Sequence, residues 1–118
     1  MNDTAILEPT SREEFEKTLK EAKGAVVVDF WAKGCGSCDP ADLQKLATDC
    51  REKATIMRIE SSEGWGSKLA DEWNVEGTPT TLLAMTPDKM NAEDALEVDP
   101  ASEAARKKLK CARPKATK

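Results

Sequence analysis

Residues 25–30 restrict the fold of this chain more than any other segment. They read Ala-Val-Val-Val-Asp-Phe, a mostly apolar run with three consecutive β-branched valines and a glycine directly before it. Because successive side chains of a strand point to opposite faces, such a run needs cover on both sides, as in a central strand between two layers of helices. The segments around it have helical periodicity, so the sequence predicts an α/β domain.

Helical and strand periodicity alternate along the rest of the chain. Ser11 and Glu14 form a capping box that begins a first helix, which Gly24 ends. Further helices are expected over about residues 38–51, 67–73 and 101–112, with strands at 54–60, 80–85 and 95–98. From the central strand onward the order is β-α-β-α-β-β-α, which predicts a mixed central sheet flanked by helices.

The 118 residues have a net charge of −4 that is unevenly distributed. Residues 1–105 carry 22 acidic and 11 basic side chains, whereas residues 106–118 carry seven basic ones and no acidic one. We expect one domain over residues 1–112 and a basic C-terminal tail over 113–118, which either docks a partner or solvates the chain end. An acidic body repels phosphates, so no nucleic-acid partner is expected.

The compartment is also predicted from what the sequence lacks. No apolar stretch approaches 18 residues, and the N-terminal residues have neither the basic nor the apolar region of a secretory signal. We therefore expect a cytoplasmic protein that does not bind membranes. We also expect a monomer.

Histidine is absent, which excludes Ser-His and Cys-His nucleophile pairs and histidine metal sites. Four cysteines remain as reactive groups, and two of them form the sequence Cys35-Gly-Ser-Cys38 where the central strand leads into a helix. The positive end of a helix favours the thiolate, and Cys38 can resolve a mixed disulfide formed at Cys35. The pair therefore predicts dithiol chemistry, with no metal and no bound cofactor.

Two other readings of the cysteines stay open. In the first interpretation Cys35 and Cys38 are an inert pair. In the second they form half of a zinc site, with Cys50 and Cys111 as the other half, although the sixty residues between Cys50 and Cys111 argue against zinc. Cys50 shares the apolar face of its helix, which predicts a buried, reduced thiol. Cys111 lies about 200° around its helix from Leu109, which predicts an exposed thiol, either incidental or regulatory.

Two segments resemble thioredoxins closely. Residues 28–32 (Val-Asp-Phe-Trp-Ala) with Cys35-Gly-Ser-Cys38 resemble the active-site segment of that family, and residues 73–83 resemble the segment in which the family has a cis-proline beside the cysteine pair. The resemblance covers roughly residues 5–112. It implies a thioredoxin-like fold and a thiol-disulfide oxidoreductase that reduces disulfide-containing protein substrates, with electrons from a thioredoxin-reductase-type donor.

The resemblance also implies roles for single residues. Cys35 would be the attacking thiol and Cys38 the more buried resolving thiol, while Asp29 would exchange a proton with Cys38. Arg58 stands where the family usually has a lysine and would supply a fixed positive charge. The implied substrate groove surrounds the cysteine pair and the proline, and its residues are Trp31, Gly34, Gly36, Ser37, Gly77, Thr78 and Pro79.

Some residues depart from the family pattern. Gly34 replaces a bulky tryptophan and Ser37 a proline, which predicts a more open and mobile site, and Asp99 stands near a groove position that usually holds glycine. These departures leave an alternative function, a protein-binding module with a non-catalytic or regulatory cysteine pair. Asp29 would then be a structural acid, and Trp65 remains either a lid residue over the substrate or a loop anchor.

Overall fold

The computed structural model describes residues 6–50 and 53–111. Helices and strands alternate in this part of the chain, as predicted, and a short 3₁₀ helix precedes the last strand. The elements are α1 (Arg12–Glu21), β1 (Ala25–Trp31), α2 (Ala41–Cys50), β2 (Ala54–Glu60), α3 (Gly64–Glu72), β3 (Thr80–Ala84), the 3₁₀ helix (Pro87–Lys89), β4 (Leu96–Val98) and α4 (Glu103–Leu109).

The four strands form one mixed sheet in the order β2-β1-β3-β4. β1 pairs in parallel with β2 and antiparallel with β3, and β3 pairs antiparallel with β4. The central place of β1, the mixed sheet and the α/β class are therefore confirmed. Among the described residues, no helix is long and apolar enough to span a bilayer.

Side chains of β1 alternate between two apolar cores, one on each face of the sheet. Val26, Val28 and Phe30 belong to the core that α1 and α3 cover, whereas Ala25 and Val27 belong to the core under α2 and α4. The three valines and Phe30 are completely buried, and burial of each such side chain contributes about 1.5–3 kcal/mol to folding. Asp29 follows the same alternation and lies on the α2 face.

α2 begins three residues later than predicted, at Ala41. Pro40 restricts Asp39 to extended backbone, and the Asp39 carboxylate accepts a 3.0 Å hydrogen bond from the backbone N–H of Ala41. Cys35 and Cys38 therefore lie in the turn before the helix and not in its first turn.

α3 begins at Gly64, three residues earlier than predicted. A Cβ added at Gly66 would collide with the backbone carbonyl of Glu60, so only glycine allows this close packing of α3 against the end of β2. Trp65 is partly buried, with its ring 6.0 Å from that of Phe15, which supports the loop-anchor reading over the lid.

Cys50 and Cys111 form a disulfide, with their Cα atoms 5.1 Å apart. Cys50 is buried as predicted, but it is not reduced, and the prediction that Cys111 is exposed is wrong. The error arose because helical periodicity was extended beyond Leu109. Lys110 adopts a left-handed conformation (φ 59°), which ends α4 and directs Cys111 toward the end of α2.

The tail prediction lies largely outside the described residues. Residues 113–118 are not described, so the division into a domain over 1–112 and a basic tail stays a prediction. One tail-proximal base, Arg106, is buried and donates a 2.8 Å hydrogen bond to the carboxylate of Asp49. Part of the basic charge therefore serves the packing of α4 on α2.

Candidate functional site

Cys35 and Cys38 lie at the end of the sheet, between β1 and α2, and are disulfide-bonded. Cys35 is partly exposed, whereas only 8% of Cys38 is accessible. The Ser37 hydroxyl oxygen is 3.8 Å from the sulfur of Cys35. A partly exposed cysteine joined to a buried one is the arrangement that an attacking and a resolving thiol need, because a substrate disulfide approaches the more exposed residue first.

A row of three polar side chains crosses the sheet beneath the disulfide. Asp29 on β1 is paired directly with Arg58 on β2 and with Thr81 on β3. The Asp29 carboxylate accepts a 2.7 Å hydrogen bond at Oδ1 from the Thr81 hydroxyl and a 3.3 Å hydrogen bond at Oδ2 from Arg58 Nε. Both oxygens of this buried acid therefore have a donor.

Burial is the largest influence on Asp29 and raises the pKa of its carboxyl. The Thr81 hydrogen bond and then the charge of Arg58 oppose this increase, but the pKa remains above its ordinary value. A carboxyl whose pKa is raised by burial accepts a proton when it is ionised and donates one when it is protonated.

Arg58 connects the acid to the resolving cysteine. Its Nη2 donates a 2.8 Å hydrogen bond to the backbone carbonyl of Cys38, and its guanidinium carbon lies 4.7 Å from the centre of the Trp31 ring. This planar side chain therefore contacts three groups at once, which the compact ammonium of a lysine would not do.

Pro79 separates two cavities beside the disulfide and contributes to both. The first, of about 490 Å³, is lined by Asp29, Ser37, Cys38 and Thr81 among others, and the second, of about 430 Å³, includes Gly77 and Thr78. The peptide bond between Thr78 and Pro79 is cis, as in the segment that the sequence resembles.

Other predicted groove residues lie outside these cavities. Trp31 packs against Arg58 at the end of β1, and Gly34 and Gly36 lie in the turn that carries the cysteines. Gly34 has φ +80°, a conformation that favours glycine, whereas a Cβ added at Gly36 would meet no atom within 4 Å. The turn therefore needs its first glycine for backbone geometry.

The first cavity is acidic. Its charged lining residues all carry carboxylates, and they are Asp29, Asp39, Asp42, Glu97 and Asp99. Asp99 therefore borders the cavity, as its position in the sequence predicted. Substrates approaching the disulfide from this side meet a negative potential.

The zinc alternative is wrong, because it required Cys35, Cys38, Cys50 and Cys111 to meet, and they form two separate disulfides. Within residues 6–50 and 53–111, no group of three or more carboxylate or cysteine side chains is placed to hold a metal ion.

Thr81 was missed in the sequence. A signal existed, because Thr81 and Thr80 are the only polar residues of β3 and Thr81 lies two positions beyond Pro79. The pairing that places it opposite Asp29 depends on the register of β3 against β1, which the sequence pattern did not specify.

The chain is similar to one known protein family and to individual proteins of that family. The family model described as Thioredoxin matches residues 6–107. The chain is 29% identical over 99 residues to the chloroplastic thioredoxin-like protein CITRX of rice (Oryza sativa subsp. japonica), an alignment that covers 82% of this chain and 50% of the relative. It is 32% identical over 72 residues to a thioredoxin of Chlorobaculum thiosulfatiphilum, covering 58% of this chain and 64% of the relative.

Solved structures share the fold. Thioredoxin NaTrxh from Nicotiana alata superposes with a TM-score of 0.69 at 22% identity, covering 96% of this chain and 97% of that one. Mitochondrial thioredoxin 3 from Saccharomyces cerevisiae, in its oxidised form, gives a TM-score of 0.65 at 24% identity, covering 87% and 91%. The chain spans about half the length of the rice relative and almost all of these structures.

Proposed function

The chain belongs to the thioredoxin family, and we propose that it is a thiol-disulfide oxidoreductase that reduces disulfide-containing proteins by dithiol exchange. One observation carries the proposal. A partly exposed Cys35 is bonded to a buried Cys38, which lines the same cavity as Asp29 and accepts a hydrogen bond from Arg58, the partner of that acid. These groups supply an accessible nucleophile, an internal resolving thiol and a proton acceptor.

The proposed reaction begins with the reduced pair. The Cys35 thiolate attacks one sulfur of the substrate disulfide, a mixed disulfide forms, and the other substrate sulfur leaves as a thiolate. Cys38 gives its proton to the Asp29 carboxylate and attacks the sulfur of Cys35, which releases the second substrate sulfur. The substrate gains two electrons, and the protein is left with the Cys35–Cys38 disulfide.

Substrate binding is proposed for the grooves on either side of Pro79. An extended peptide that follows this edge can form hydrogen bonds with backbone groups near Thr78, in the manner of an added strand. Gly77 and Thr78 line one groove, and Ser37 and Cys38 the other, so the substrate disulfide would cross Pro79 to reach Cys35.

An external dithiol must restore the reduced pair, and we propose a thioredoxin-reductase-type donor. We retain the monomeric state and the cytoplasmic location as predictions. The Cys50–Cys111 disulfide weighs against a reducing cytoplasm, since disulfides of this kind are typical of oxidising compartments. A relative named chloroplastic also leaves the compartment to experiment.

Insulin reduction tests the function. The wild-type protein, supplied with a dithiol, should accelerate insulin reduction, and Cys35→Ser should abolish the acceleration. Cys38→Ser should retain the first attack and accumulate mixed disulfides. Cys50→Ser with Cys111→Ser is the control, because it removes the other disulfide and leaves Cys35 and Cys38 in place. Insulin reduction by Cys35→Ser at the wild-type rate would contradict the proposal.

A redox titration separates this function from the binding-module alternative, which rests on Gly34, Ser37 and Asp99. A catalytic pair should titrate reversibly between about −270 and −120 mV, the span of known dithiol proteins. A pair that stays reduced across this span would favour the binding module.

A further inference from the structure

Thr81 is a polar side chain in the most buried part of the sheet. It is 3% exposed, and the next three residues of β3 are buried and apolar. Valine has the same shape as threonine and suits a strand equally well, so packing alone does not require the hydroxyl. What the hydroxyl adds is the 2.7 Å hydrogen bond to Asp29 Oδ1.

We propose that Thr81 is a positioning residue that keeps the Asp29 carboxylate ionised and oriented to accept the proton of Cys38. The inference rests on the proposed function, because it assigns Thr81 a part in the second step of disulfide reduction. Thr81 touches Asp29 and acts through it, and it borders the same cavity as Asp29 and Cys38.

The geometry explains why one donor is insufficient. Arg58 offers Nε to Asp29 Oδ2 at 3.3 Å, a longer contact, and the same guanidinium also binds the carbonyl of Cys38. Thr81 contacts the other carboxylate oxygen at 2.7 Å, from the opposite neighbouring strand. The two donors lie on opposite sides of the carboxylate, one on β2 and one on β3, and together they fix the positions of both carboxylate oxygens.

Burial of Asp29 makes this support necessary. Among the residues that line the cavity or form a hydrogen bond with Asp29, Arg58 on β2 is the only cation. Four further carboxylates line the cavity, and they belong to Asp39, Asp42, Glu97 and Asp99. Cys38 lines the same cavity. Burial is the largest influence that disfavours a negative charge on Asp29, and the Thr81 hydroxyl and Arg58 oppose it.

Loss of the Thr81 hydroxyl should therefore favour protonated Asp29. Burial raises the pKa of Asp29, and the Thr81 hydrogen bond is the largest influence in the opposite direction. A protonated carboxyl has no capacity to accept the Cys38 proton, so the rate at acidic pH would fall. At a pH well above the Asp29 pKa, the carboxylate is ionised with or without Thr81, and the rate should be unchanged.

The decisive variant is Thr81→Val, which removes the hydroxyl and keeps the shape. In the oxidised protein, where neither Cys35 nor Cys38 titrates, the carboxyl ¹³C signal of Asp29 should show a midpoint raised by about one pH unit. In the reduced protein, insulin reduction on the acidic limb of the pH profile should be about tenfold slower, with the same plateau at alkaline pH.

Four further variants accompany it. Thr81→Ser restores a hydroxyl and should restore the wild-type midpoint of Asp29. Asp29→Asn should remove the part of the pH profile in which the rate falls because Asp29 is protonated. Thr55→Val makes the same chemical change on β2, away from Asp29, and should leave both measurements as in the wild type. Thr81→Ala carries the test if the valine variant does not fold.

The outcomes separate this inference from the proposed function. An Asp29 midpoint in Thr81→Val equal to that of the wild type would overturn the role of Thr81, even if the protein reduces insulin normally. A limb that persists in Asp29→Asn would overturn proton transfer to Asp29. Failure of the wild-type protein to reduce insulin would instead refute the function, while the midpoint of the oxidised protein would still report on Thr81.

Discussion

Arg58 donates a 2.8 Å hydrogen bond from Nη2 to the backbone carbonyl of Cys38, and its Nε lies 3.3 Å from Asp29 Oδ2. One side chain on β2 thereby ties the turn that carries the resolving cysteine to the acid beneath it. The side chains of both ion-pair partners are about nine-tenths buried, so solvent screens their interaction little. The first prediction concerns this connection.

Arg58→Met should lower the free energy of unfolding by about 3 kcal/mol, because removing one partner leaves Asp29 buried beside an apolar side chain. Urea denaturation at pH 7 measures the change. Asp29→Asn in the same background should recover part of the loss, since the neutral amide no longer needs a cation. A stability change in the double variant equal to the sum of the changes in the two single variants would mean that the two side chains do not interact.

Arg58→Lys should keep the charge yet slow disulfide reduction several-fold. A single ammonium cannot occupy the positions of both Nε and Nη2, so either Asp29 or the Cys38 carbonyl loses its donor. Insulin reduction and the redox potential of the pair are the measurements. A lysine variant with wild-type rate and potential would show that only the charge at this position matters.

Asp29 should make stability depend on pH in an unusual direction. Its pKa is raised in the folded protein, mainly by burial, so between the unfolded and folded pKa values the folded state binds more protons. The Asp29 contribution is therefore most favourable below the unfolded pKa and is lost as pH rises through the folded pKa. Urea denaturation of the oxidised protein at several pH values should show Asp29→Asn gaining stability relative to the wild type as pH rises, and a constant difference would contradict this.

The sequence predicted the parts of the site that depend on neighbours along the chain. The cysteine pair follows a buried strand directly, so local pattern was sufficient to find it. Pro79 and Asp29 were assigned through the resemblance of their segments to thioredoxins. These residues lie together in the structure because β1 and β3 are adjacent antiparallel strands, so that β3 begins at the edge of the sheet where β1 ends.

Features that depend on strand register or on single backbone angles were missed. Thr81 meets Asp29 across 52 residues of sequence, through a pairing that periodicity cannot align. Cys111 meets Cys50 because Lys110 takes a left-handed conformation, whereas helical spacing continued past Leu109 would have placed Cys111 at the surface. The late start of α2 follows from Pro40, whose effect on the preceding residue outweighed the helical pattern.

The Cys50–Cys111 disulfide should contribute substantially to stability and little to catalysis. The cysteines are 61 residues apart, and closing a loop of this size in the unfolded chain corresponds to about 4 kcal/mol. Cys50→Ser with Cys111→Ser should lower the free energy of unfolding by about this amount, measured by urea denaturation without reductant, while insulin reduction persists under native conditions.

The active-site pair supplies the matched control for that measurement. Cys35 and Cys38 are only three residues apart, so their disulfide restricts the unfolded chain much less. Cys35→Ser with Cys38→Ser should therefore cost less stability than the Cys50 and Cys111 double variant, yet abolish activity. A reversed order of stabilities would show that the Cys50–Cys111 link is not a main constraint on the fold.

The acidic cavity should give the protein a preference for disulfides flanked by basic residues. Asp39, Asp42, Glu97 and Asp99 border the space next to Cys38, and no lysine or arginine lines it. Two disulfide peptides that differ only in flanking lysines or glutamates should be reduced with different kcat/KM values. The lysine peptide should be reduced faster, and the difference should shrink as salt screens the charges.

Asp99→Asn tests this prediction most directly, because it removes the charge while the amide oxygen can keep the 2.9 Å hydrogen bond that Asp99 accepts from the backbone N–H of Ala101. It should narrow the gap between the peptides by raising the rate for the glutamate peptide, and identical rates for both peptides in the wild type at low salt would show that these carboxylates do not select substrates.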